Sequence, residues 1–217
     1  QKQENNPEEI GAWDEYELNW YNKWVINSAA DFPNVSLDRI NSLMTDYERR
    51  LKQHGEGLRT LPYLQLKLAM HKGNQEDARA YYQQWKAISR DSMSDCAACE
   101  AQTEVVLYSF FGDDETAIKK AQQMLNKGMS CGHIPQTTYS LMLAPLMRLG
   151  QWELAEEMHR IGRPLVSGSQ KYLFSQAHQL AYMALIHPTQ ALRWYGRHIG
   201  WAERTPEPDS RLVFQRA

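Results

Sequence analysis

Apolar positions recur at spacings of three and four along most of the chain, the period of helices that bury one face. From Glu8 onward, Trp13, Tyr16, Trp20 and Trp24 fall on one stripe, which is expected to pack on the next helix. Gln1 to Pro7 is polar and predicted to fray. Pro33 ends the first helical segment, because proline removes a donor and restricts its predecessor. Ser36 is the predicted N-cap of a second helix with the apolar face Leu37, Ile40, Leu43, Met44, Tyr47 and Leu51. Gly55 and Gly57 close it.

From Leu58 the pattern repeats. Helices are predicted over residues 58–72, 75–88, 95–111, 114–126, 136–149, 152–161, 170–186 and 188–201. Gly73, Gly112 and Gly150 each stand five residues before an alanine, Ala78, Ala117 and Ala155, and Ala191 takes the same place in the last pair. The alanines are 39, 38 and 36 residues apart. Glycine permits the tight turn between antiparallel helices, and alanine lets them approach closely where they cross. Such a period marks stacked helix pairs, none of which buries its apolar face alone. The predicted fold is all-α, an α-solenoid of antiparallel helix pairs with about ten helices. It divides into an N-terminal helical pair (1–57), a repeat array (58–203) and a linker or start of a further helix (204–217). In the last part TPEPDS reads as linker, and Leu212, Val213 and Phe214 as the beginning of a helix.

Charge narrows the function. Twenty-four basic and twenty-six acidic side chains give a net charge of −2, against a general surface for nucleic acid or anionic membrane. No apolar run approaches the roughly 18 residues that span a bilayer. The chain begins at Gln1, as a trimmed or mature form or a piece of something longer would. Three cysteines, an odd number, fit a reducing compartment better than a disulfide framework, so the expected location is cytoplasmic. Seven Trp and eleven Tyr read mainly as wedges between packed helices.

The cysteines carry the sharpest chemistry. Cys96 and Cys99 share one face of the first turn of a predicted helix, beside the positive end of its dipole. Cys131 and His133 follow 35 and 37 residues after Cys96, just before the next repeat. One repeat length brings both segments to the same end of the stack. Three thiolates and one imidazole make a tetrahedral zinc set, closed and therefore structural. The other readings are packed or reduced thiols, a redox-active C-x-x-C, and a disulfide from Cys131 to Cys96 or Cys99. Elsewhere, Glu156 and His159 form a single E-x-x-H pair, whereas a di-iron site needs two. His159, His178 and His198 lie near one predicted seam, where packing roles outweigh a metal triad. No phosphate loop, nucleophile elbow or H-E-x-x-H occurs. Asn34-Val35-Ser36 matches a glycosylation sequon, but Ser36 is already used as a cap.

Two resemblances add to this reading. G-D-D-E-T-A (112–117), followed by Ala121 and Leu125, resembles the second half of a tetratricopeptide repeat. S-D-C-A-A-C-E (94–100), C-G-H-I-P (131–135), L-G-Q-W-E-L-A (149–155), His159 with R-P-L-V (163–166), His178 and H-I-G-W (198–201) resemble a family of bacterial tetratricopeptide-like proteins. Gln151 and Leu154 depart from that pattern. The resemblance implies a helical-repeat fold and three cysteines acting as a set; it implies no reaction.

The expected function is a binding module, free-standing or as the sensor or regulatory domain of a larger protein. Its concave surface, lined by the first helix of each pair, would hold a protein or peptide. Arg59, Lys67, Gln102, Tyr108 and Arg148 are the candidate contacts. The competing classes are a thiol-redox or metal-dependent enzyme and a structural assembly subunit.

Overall fold

The computed structural model describes residues 12–217, with side chains from Glu15 onward. The expectations for the N-terminal segment and for the Trp13 side chain lie outside that range. The described residues fold as helices packed in neighbouring pairs, and none of these helices is long and apolar enough to cross a membrane. The fold is all-α and built of helix pairs. Contacts divide the chain into two compact units, residues 1–94 and 95–217, so the division falls inside the segment predicted as one array.

The first unit contains α1 (Ala12–Ala29), α2 (Leu37–His54), α3 (Thr60–His71) and α4 (Gln75–Ala87). Helix α1 packs on α2 and α3, and α3 packs on α4. Ser36 caps α2 by accepting the Arg39 amide at 3.2 Å, and Ile40, Met44, Tyr47 and Leu51 form its buried face as the spacing predicts. Helix α1 differs from expectation. Its buried positions are Asn19, Lys23, Ile26 and Ala29, one step round from the aromatic stripe. Along the flank Tyr16 stacks on Trp20 and Trp20 meets Trp24 edge-on, and Trp24 is 54% exposed. Lys23 is buried because its Nζ donates to the Met93 carbonyl at 2.8 Å and lies 3.4 Å from the centre of the Trp20 ring. A hydrogen bond and a π-face together offset the desolvation of the ammonium.

The second unit contains α5 (Ala97–Phe110), α6 (Asp114–Asn126), α7 (Gln136–Arg148), α8 (Trp152–Val166), α9 (Leu173–Ile186), α10 (Pro188–Arg204) and α11 (Pro208–Arg216). A 3₁₀ turn at Gln170–Tyr172 leads into α9. The hairpin turns follow the sequence signature: Gly73, Gly112 and Gly150 have φ of 73°, 78° and 69°. The residue after each glycine bonds back to the preceding helix, Asn74 to Ala69, Asp113 to Tyr108 and Gln151 to Leu146, closing the turn in a Schellman geometry. The four register alanines are all buried, three of them completely.

First helices of successive pairs are joined sideways at the repeat period. Thr138 donates to Gln102 at 2.8 Å, Ser175 to Thr137 at 3.2 Å and Gln179 to Ser140 at 3.0 Å. These residues are 36, 38 and 39 apart, so the alanine period returns as a ladder of side-chain hydrogen bonds along α5, α7 and α9. Two boundaries are corrected. Helix α8 runs through Pro164 to Val166 rather than ending at Ile161, and fully buried Val166 rewards the extra turn. The TPEPDS segment is not linker throughout: Pro208 starts α11, which packs on α9 and α10. Phe214 of α11 is fully buried and stacks on Tyr195 at 5.7 Å.

Candidate metal centre

The three cysteines meet. Cys96 is the N-cap of α5, and its Sγ accepts the Cys99 amide at 3.4 Å. This places Cys96 and Cys99 one turn apart on the same face. Cys131 lies in the connection before α7, where its amide donates to the Ile134 carbonyl at 3.2 Å and the Ile134 amide donates back at 2.8 Å. Buried Ile134 pins that tight turn to the core. Because α5 and α7 pack together, the turn arrives over the start of α5, and the three Sγ atoms lie within 4.8 Å of one another. Sulfurs around a tetrahedral zinc stand roughly 3.8 Å apart, so small side-chain rotations close this set on an ion.

All three are free thiols; Cys96 and Cys131 are exposed and Cys99 is half-buried against the core. Burial pushes the Cys99 thiol up, and the neighbouring Cys96 and Cys131 push it further. Burial also raises Cys96, but the Cys99 amide and then the Cys131 thiol outweigh it and hold Cys96 below the usual thiol range. Of the pair at the start of α5, the cluster therefore favours ionisation at Cys96 over Cys99.

His133 does not join them. The Cys131–Ile134 turn sends it elsewhere: the exposed ring meets Tyr172 edge-on at 5.5 Å, and it is not among the donors grouped with the sulfurs. The predicted four-donor set is corrected to three thiols.

The expected contact residues are engaged within their own units. Arg59 is 5% exposed and lies over Trp85, 4.9 Å from the ring centre, which places it in the core rather than on a groove. Lys67 donates to Asn27 at 2.8 Å, Gln102 accepts from Thr138, and Tyr108 lies beneath the Lys120 ammonium. Arg148 holds buried Asp114 through two 2.7 Å bonds and reaches Ser109 at 3.0 Å. A cleft of about 300 Å³ lies instead among α2, α3 and α4, with Met44, Leu61 and Leu68 inside and Glu48, Lys72, Asp77 and Tyr81 among its polar lining. The sequence reading missed it by assigning contacts to first helices alone. The signal was present in Asn41, Thr45 and Glu48, which share one face of α2.

The late histidines are packed among neighbouring side chains. His159 Nδ1 donates to Gln179 at 2.6 Å, and desolvation holds its pKa below the ordinary value. The Nε2 atom of His178 is out of solvent contact beside Phe174, and burial lowers that group to about 4. His198 Nδ1 donates to the Trp194 carbonyl at 2.7 Å. Glu156 accepts from the Tyr182 hydroxyl at 2.6 Å and from His187 at 3.2 Å, which keeps its carboxyl below the usual range despite some desolvation. Among the described residues these side chains form no convergent group of three metal donors. Comparison of the chain with protein-family models, with curated proteins and with solved structures finds no match.

Proposed function

We propose that the chain is a tetratricopeptide-like helical-repeat scaffold for a protein or peptide partner, clasped at one inter-repeat joint by zinc on Cys96, Cys99 and Cys131. The observation that carries this reading is the convergence of three thiols from two successive helix pairs. Thiolates suit zinc, and an ion bound to both segments ties the Lys127–Pro135 connection to the start of α5. The cleft supports the partner role, since an apolar interior with both signs of charge around it accommodates an extended peptide side chain.

Elemental analysis of protein purified without chelator or affinity metal tests the clasp. The expected result is about one zinc per chain, with a lower Tm after chelation. Absence of zinc, with three freely titrating thiols, would refute it. For the partner role, peptides selected from a display library against the intact chain should lose about tenfold in affinity to Glu48→Lys. Selection of no peptide sensitive to that change would count against the cleft.

A further inference from the structure

We propose that the metal centre is open: a zinc ion on the three cysteines takes its fourth ligand from outside the chain, as the thiolate of a small thiol. This rests on the zinc reading above and goes beyond it, because the ion becomes a binding site as well as a clasp.

Three observations lead there. At the start of α5 the donors that converge are three sulfurs, and among the described residues neither a histidine nor a carboxylate joins them. His133, the nearest candidate in sequence, is turned to Tyr172. Exposure is also asymmetric. Cys99 rests against the core, whereas Cys96 and Cys131 are exposed, so an ion here has protein behind it and water in front.

Zinc is tetrahedral, and a structural site takes all four donors from the protein. Three thiolates leave one position, which water fills by default. Four sulfurs are an established zinc set, and a site already rich in sulfur accepts a further soft donor. The exchange is a substitution without redox change. The incoming thiol gives its proton to solvent, one zinc–sulfur bond forms, and one zinc–oxygen bond breaks to release water. The added negative charge faces solvent beside the N-terminus of α5, whose first-turn amides oppose it.

Cobalt(II) reports on this directly. The chain of residues 1–217, freed of metal, is loaded with one equivalent of Co(II), then titrated with 2-mercaptoethanol or, separately, with imidazole. The expected result is a tetrahedral Co(II) spectrum whose d–d bands move to longer wavelength as thiol is added. The sulfur-to-metal charge-transfer absorption should rise by about one third, the ratio of four cobalt–sulfur bonds to three. His133→Ala should respond like the natural chain. A spectrum indifferent to thiol in the natural chain but responsive in His133→Ala would make His133 the fourth ligand and the site closed. A response to imidazole alone would overturn the ligand class. Failure of both Co(II) and zinc to bind would remove the metal reading itself, a result distinct from a bound ion that ignores thiol.

Discussion

In the first unit, buried cations lie against aromatic rings; in the second, a larger apolar core carries neutral lateral hydrogen bonds, and its buried carboxylates Glu104 and Asp114 are held by partly exposed cations. Lys23 lies over Trp20 and Arg59 over Trp85, beside a cluster made by Ile26, Ile40, Met44, Tyr47, Leu51 and Leu64. The second unit instead packs residues from all seven of its helices into one cluster, extending from Ala98 to Phe214. Its lateral bonds use Gln, Thr and Ser, with His159 held neutral by its surroundings. The difference follows from the cost of burying charge. A buried ammonium or guanidinium can rest on a π-face, whereas a buried carboxylate needs a cation, which Arg148 gives Asp114 and Lys120 gives Glu104 in the second unit.

The largest expected effect tests whether the second core truly extends to the last helix. Phe214→Ala should cost about 3–5 kcal/mol in denaturant unfolding, as a fully buried aromatic does. An unchanged midpoint would mean that α11 is not part of that core. Next comes the neutral network. Gln179→Leu removes the partner of both His159 and Ser140 and should cost about 2–3 kcal/mol, since each is buried. Gly162→Ala is expected to lose about 1–3 kcal/mol, although alanine is the better helix former. A Cβ there would stand 2.7 Å from the Tyr139 Cβ.

Acid should separate the units further. His159 and His178 have folded pKa values below 6.5, so folding favours their neutral forms. Their contribution is full above about 6.5 and is lost as pH falls, for His178 towards about 4. The depressed Glu156 carboxyl acts in the same direction below about 4.5. Thermal unfolding between pH 7 and 4 should therefore show a falling Tm that His178→Phe flattens. At the small end, Lys52→Ala should change stability by less than about 0.5 kcal/mol. Its 2.7 Å bond to Glu48 joins two exposed side chains.

The sequence made the repeats legible where local rules suffice. Ser36, Gly112 and Ala117 act within a turn or a crossing, so their roles follow from residue type and spacing. The approach of Cys131 to Cys96 was legible for the same reason, because one repeat length returns the chain to an equivalent place. His133 failed because a two-residue offset inside a tight turn decides direction, and spacing counts residues without giving their direction. The α1 stripe failed by one step of helix phase: amphipathic aromatics satisfy periodicity equally well in a core or on its flank.

By itself, then, the sequence determined that this chain is all helical, where its hairpins turn and which alanines lie at the crossings. Those features depend on φ, capping and the 3.6-residue period, all set within a few neighbours. Tertiary structure alone decided that three thiols converge without the histidine, that Arg59 is interior and that the proline-bearing tail becomes a docked helix. Each depends on which surface another element presents, through contacts between residues tens of positions apart.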